Sequence, residues 1–201
     1  MESRSERARL AVPVGERDHV RGPAEAPVTL VEYGDFECPY TRRARPVVRR
    51  LGQEFGDRLL FVFRNFPLIR IHPHAQAAAE AAETAASQGR YWEMHDLLFD
   101  NQRHLEGEDF RRYAQQLGLD PERFDRELAQ HAHAHRVRED LRGGLKSGVR
   151  GTPTFFVNGL RHDGPNDLAT LLGGGKERVA SRGQGDVPGG AEGQDGSGGR
   201  L

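Results

Sequence analysis

The sequence predicts an α/β domain in which a βαβ unit and a later ββα unit enclose an all-helical insertion. Three observations carry this expectation. Short apolar, β-branched or aromatic runs stand at residues 28–33, 59–63 and 154–157. An apolar stripe at helical spacing joins the first two. Residues 73–147 hold helix-forming sequence with no convincing strand.

Pro27 introduces Val28-Thr29-Leu30-Val31-Glu32-Tyr33, as a strand start allows. Gly34-Asp35-Phe36-Glu37-Cys38 turns the chain, and Pro39 suits a first helical turn. Val47, Val48, Leu51 and Phe55 then mark one helical face, which stops near Gly56. The nearly continuous apolar run Leu59 to Phe63 reads as a parallel strand covered on both faces, reached by a right-handed crossover. In the insertion, Ala75 to Ser87 is alanine-rich, and Trp92, His95, Leu97, Leu98 and Phe99 continue a helical pattern. Phe110, Tyr113, Ala114 and Leu117 mark another helix ending at Gly118, and Asp120-Pro121-Glu122 opens a further one. Asn158-Gly159, between Thr154-Phe155-Phe156-Val157 and Leu160-Arg161-His162, signals a β-hairpin. Asn166 or Asp167 caps a last short helix through Leu172.

The 201 residues suit one domain: a flexible leader (1–17), a folded body (18–172, with the helical insert at about 73–147) and a disordered Gly-rich tail (173–201). With 29 Lys+Arg against 30 Asp+Glu, charge offers no attraction for nucleic acid or an anionic membrane. No apolar run approaches the roughly 20 residues that span a bilayer. Leu10 to Val14 is too short for a secretory signal and is broken by Pro13. A single cysteine, Cys38, excludes an intrachain disulfide and a multi-cysteine zinc site, so no metal is expected and the expected compartment is the cytoplasm.

Chemistry concentrates at Cys38-Pro39-Tyr40-Thr41, between a strand and a helix. Unpaired amides and the positive dipole end at a helix N-terminus favour a thiolate and can lower a cysteine pKa from about 8.5 to roughly 3.5–7.5. Thr41 stands one turn on, where its hydroxyl can reach the sulfur or cap the helix. The competing reading is a buried, inert thiol. Phe36 and Tyr40 flank the sulfur as an apolar rim for substrate, although Phe36 equally suits the core. Gly151-Thr152-Pro153-Thr154 precedes a strand, where a proline is a trans strand-starter or a cis turn.

These residues resemble the DsbA family of the thioredoxin superfamily. The resemblance rests on the strand Val28–Tyr33, on Asp35-Phe36-Glu37-Cys38-Pro39-Tyr40, on Phe63-Arg64-Asn65-Phe66-Pro67-Leu68, and on the run from Gly151-Thr152-Pro153 to Asn158-Gly159. It implies a thioredoxin fold with a helical insert and a cis Pro153 beside Cys38. It also implies substrate pairing along Thr152, contacts from Pro39 and Tyr40, and an acidic residue, Glu32, beneath the site as proton acceptor. Read alone, Glu32 equally suits an exposed strand position. The chain departs from the family at Thr41, where the pattern has a second cysteine.

A dithiol cycle within one chain is thus excluded, and the expected activity is monothiol. Cys38 exchanges mixed disulfides of protein or small-molecule thiols, with glutathione or another low-molecular-weight thiol as co-substrate. Two alternatives are a redox-inactive peptide-binding module and a glutathione-dependent transferase or isomerase in which Thr41 activates the glutathione sulfur. The sequence carries no signal for oligomeric state. His131, His133 and His135 read as solvated helix positions, His72 and His74 as caps of the Ala-rich helix, and Trp92 as an anchor of the insertion.

Overall fold

The computed structural model describes residues 8–167, 170, 171 and 173; the rest of the expected leader and tail lies outside the described residues. β3 (Leu59–Asn65) is buried at all seven positions, because it has a neighbour along each edge and cover on each face. It pairs in parallel with β2 (Val28–Gly34), from Val28 opposite Leu59 to Gly34 opposite Asn65, and α1 (Pro39–Phe55) makes the crossover. β4 (Thr154–Val157) runs antiparallel to β2 and continues into β5 (Leu160–Arg161). The edge beyond β3 is taken by β1 (His19–Arg21), giving the order β1-β3-β2-β4-β5. Asn158 and Gly159 both have positive φ, 48° and 78°, as the hairpin turn requires.

Side-chain alternation divides the core. Leu30, Phe61, Phe63 and Phe155 face α1 and the insertion, whereas Val31, Tyr33, Val62 and Phe156 face the other side. Burying each of these side chains contributes about 1.5–3 kcal/mol. The insertion comprises α2 (Ala75–Ala86), α3 (Tyr91–Asp100), α4 (Gly107–Gln116), α5 (Pro121–Ala129) and α6 (Ala134–Lys146). Alanines at 78, 79, 81, 82 and 85 are buried and let α2 lie among α3, α5 and α6. Asp120 accepts the Arg123 N–H, capping α5 as its sequence predicts. Thr170 N–H likewise donates to Asp167 Oδ1 at 2.9 Å and Leu171 N–H to the Asp167 carbonyl at 3.2 Å, while residues 168, 169 and 172 of the expected last helix lie outside the described residues.

The leader departs from expectation over residues 8–17. Arg9 bridges to Leu160, and Leu10 N–H donates to Gly159 at 2.8 Å, so the chain extends the sheet past β5. The carbonyls of Val12 and Pro13 then accept from the buried Arg64. Backbone groups make these contacts, so the polar, Arg-rich composition of the segment concealed them.

Candidate functional site

β2 ends at Gly34 because the chain must pass close to the start of α1. A Cβ there would lie 2.3 Å from the Phe63 ring and 3.0 Å from the Thr41 methyl group. Cys38 follows as the N-cap of α1, with Pro39 at the first helical position. Its S–H donates to the Thr152 carbonyl at 3.3 Å, and the Thr152–Pro153 peptide bond is cis. Residues 114 positions apart therefore meet at one point. Cys38 is not an open thiol, however: the residue is only 2% exposed. Gly151, Thr152 and Pro153 are half-buried, and Pro39 and Tyr40 are exposed beside the sulfur, with the Arg43 guanidinium over the Tyr40 ring.

Two sequence expectations change here. Phe36 is no rim residue; it is 1% exposed and packs on Phe63, Phe99 and His95, because the turn after β2 carries it under α3. Thr41 is fully buried, and its hydroxyl accepts the Asp35 N–H instead of reaching Sγ or capping the helix. That placement counts against the transferase alternative, which needs the hydroxyl facing a bound thiol.

Three polar residues with no role assigned from the sequence hold the loop. Buried Asp35 accepts from Glu37 N–H, from Leu68 N–H and from the His72 ring, each at 2.8 Å. Glu37 accepts from the His74 backbone N–H and also bonds the His74 ring, so neither histidine side chain caps α2. The Gln102 amide donates to the carbonyls of Phe36 and Cys38. The only advance signal was the sequence Asp35-Phe36-Glu37-Cys38 itself, since the partners lie 33–66 residues away.

Glu32 is buried, not exposed, and Oε1 has no hydrogen-bond partner. Burial pushes its carboxyl up to about 8, against the opposing pull of Arg45. Glu32 lines a cavity of about 440 Å³ between α1, β1, β3 and α3. The histidine tract disperses: His131 takes Glu80, His133 takes Glu127 and His135 takes the Ala132 carbonyl. His131, with φ 51°, lies in the turn before α6 and not on a helix. Trp92 packs on Phe61 and donates to the Val20 carbonyl, which anchors α3 to β1.

Among the described residues no helix is long and apolar enough to cross a membrane. A thioredoxin family model matches residues 15–173. The chain is 54% identical over 163 residues to a Na(+)/H(+) antiporter NhaA 1 of Salinispora arenicola, covering 81% of this chain and 25% of that protein. It is 46% identical over 156 residues to an antiporter NhaA of Herminiimonas arsenicoxydans, covering 78% of this chain and 25% of that one. The chain thus spans about a quarter of the length of these curated relatives. Among solved structures, oxidised BdbD of Bacillus subtilis aligns with TM-score 0.78 at 22% identity, covering 87% of this chain and all of that one. A thioredoxin-like oxidoreductase of Silicibacter pomeroyi aligns with TM-score 0.68 at 26% identity, covering 86% and 95%. By its match over most of its length and its sheet with an inserted helical block, the chain belongs to the thioredoxin family and has the DsbA-like form of the fold.

Proposed function

We propose that this domain is a monothiol thiol–disulfide oxidoreductase that acts through Cys38, with glutathione or a similar small thiol as second reactant. The observation that carries the reading is the 3.3 Å contact between Sγ and the Thr152 carbonyl, at the N-cap of α1. Lifting the Gly151–Pro153 segment off the sulfur frees that carbonyl to accept an amide N–H of an extended substrate. A groove of about 290 Å³ runs beside Pro153 and carries Arg150, which suits a carboxylate of glutathione, while Arg161 in the same lining is engaged by Asp163 at 2.6 Å.

In the first step the Cys38 thiolate, its proton lost to solvent, attacks one sulfur of a disulfide. The S–S bond breaks, a Cys38 mixed disulfide forms, and the departing thiolate takes a proton. A second small thiolate then attacks the mixed disulfide, restoring Cys38 and forming a new disulfide, with no net oxidant consumed. No other sulfhydryl exists in the chain to perform that second attack. A lone cysteine also suits a reducing compartment, and we place the reaction in the cytoplasm.

Oxidised glutathione is expected to add one glutathione to the wild-type chain and none to Cys38→Ser, read by intact mass; excess reduced glutathione removes it. An unmodified wild type would overturn the reading. The 2% exposure of Cys38 favours a second one, a redox-inactive module that holds an extended peptide along Thr152. Unchanged peptide capture by Cys38→Ala, with no adduct on the wild type, selects that module.

Thr41→Cys supplies the missing resolving thiol one helical turn from Cys38. Oxidised glutathione should then yield an intrachain disulfide, seen as a loss of two hydrogens with both thiols blocked to alkylation. Reduction of a test protein disulfide should rise at least tenfold over the parent. A variant that accumulates stable glutathione adducts would show that the first turn of α1 cannot bring the two sulfurs together.

A further inference from the structure

We propose that the cavity between α1, β3 and α3 is a binding site for a small hydroxylated carboxylate with an apolar body, such as a phenolic acid. Its volume, about 440 Å³, lies within the range of small-molecule sites. Val48, Leu59 and Phe61 supply apolar wall, which suits an aromatic or aliphatic body.

The floor supplies the hydrogen-bonding group. Other buried acidic side chains near the core are partnered: Glu80 by Gln76 and His131, Glu83 by His19 and Asn65, Asp35 by His72 and two backbone amides; Asp140 is held by Asn65 through Oδ2 while its Oδ1 is unpartnered, but it does not line the cavity. Glu32 lines the cavity, and its buried Oε1 has no hydrogen-bond partner. Buried polar groups are nearly always hydrogen-bonded, so an orphaned carboxyl beside an open volume marks the place of a missing partner. Held protonated by burial at neutral pH, it offers both an O–H donor and a carbonyl acceptor, the complement of a hydroxyl group.

The rim supplies the charge. Arg21 and Arg45 are engaged by Asp96 at 2.7 and 2.9 Å, and Arg45 also by Asp100 at 2.6 Å. Arg49 is the looser cation; it is exposed and 3.8 Å from Asp100, beyond hydrogen-bond reach. Three arginines thus stand against two aspartates, Asp96 in the lining and Asp100 beside it, which leaves one net positive charge, with His95 held neutral by burial, which lowers it to about 4. An anionic end at the rim and a hydroxyl on Glu32 satisfy both ends together.

Glu32 is also the residue that the family resemblance makes a proton acceptor for the thiol, so binding is read apart from thiol chemistry on the full chain carrying Cys38→Ser. Titration calorimetry with 4-hydroxyphenylacetate should show saturable one-to-one binding. Phenylacetate, which lacks the hydroxyl, and 4-methylphenol, which lacks the anion, should each bind at least tenfold more weakly. Glu32→Leu should reduce the affinity for 4-hydroxyphenylacetate to that of phenylacetate, and Val48→Phe, which fills the cavity from α1, should abolish binding. If either variant fails to fold, the three-probe comparison and the other variant still decide. No saturable heat up to about 10 mM, or equal affinity for all three probes, would mean that the cavity holds water only and would overturn the proposal.

Discussion

Replacing Glu32 with methionine is expected to stabilise the protein, by an amount that grows as the pH rises. Burial raises the Glu32 carboxyl from 4.5 to about 8 in the folded state. Below pH 4.5 the group is protonated in both states and contributes no pH dependence. Between 4.5 and 8 the unfolded chain releases the proton while the folded chain keeps it, so the folded state binds more protons and loses stability with rising pH. The slope is about 1.4 kcal/mol per pH unit, and the loss between pH 5 and pH 8 is roughly 3 kcal/mol. Asp140, raised by burial to about 6, acts in the same direction but only up to that pH. His95, lowered by burial to about 4, acts oppositely and is complete by about 6.5. From pH 6.5 to 8, then, the Glu32 contribution stands apart from these two. Methionine matches the unbranched shape and needs no hydrogen bond. Denaturant unfolding of both proteins at pH 5 and pH 8 reads the difference directly. An equal gain at both values would show that Glu32 is ionised and solvated through the cavity, which would remove the protonated donor from its floor.

The strands and helices were legible because each depends on local pattern. The seven buried positions of β3 are an apolar run, and the turn at Asn158-Gly159 needs only two residues able to take positive φ. Cys38 at a helix start followed from Pro39 and the preceding strand. Its neighbour Thr152 could be placed only through resemblance, since 114 residues separate them. Burial was the property least accessible to reading along the chain. The cover over Cys38 and the core position of Phe36 are set by segments from β3, α3 and the Pro153 loop, and the inward turn of the Thr41 hydroxyl by the Asp35 amide just past the end of β2. For Glu32 the pattern left exposed and buried positions equally open, because alternation in β2 names a face without saying what covers it. Residues 8–17 failed differently: composition weighs side chains, and this segment is held by its backbone carbonyls and amides.

Asp18→Ala is expected to cost about 3–5 kcal/mol, because it leaves a buried guanidinium without its counter-charge. The side chains of Arg64 and Asp18 are each 1% exposed and meet through two hydrogen bonds, at 2.8 and 2.9 Å. Arg64 donates further to the Val12 and Pro13 carbonyls and to the Tyr33 hydroxyl. Burial pushes the Asp18 carboxyl up, but the hydrogen bonds from Arg64 and from Gly15 N–H outweigh it and hold the group below 3.8. This stabilisation is therefore present above pH 3.8 and lost as the pH falls through the lowered folded value. Removing the charge pair as a whole behaves differently. Arg64→Met combined with Asp18→Ala should cost clearly less than the sum of the two single changes, since no lone ion remains buried. Equilibrium unfolding of the four proteins supplies the cycle. Amide exchange at Leu10 and Arg161 supplies the local readout, because those N–H groups join residues 8–10 to the hairpin, just before the Val12 and Pro13 carbonyls that Arg64 holds. Additive losses, or unchanged exchange at both amides in Asp18→Ala, would show that backbone pairing alone secures the N-terminal segment. Arg64 contacts Tyr33, on the sheet face opposite Phe63 and the Cys38 loop, so glutathione addition to the folded variant should match the wild type even as its stability falls.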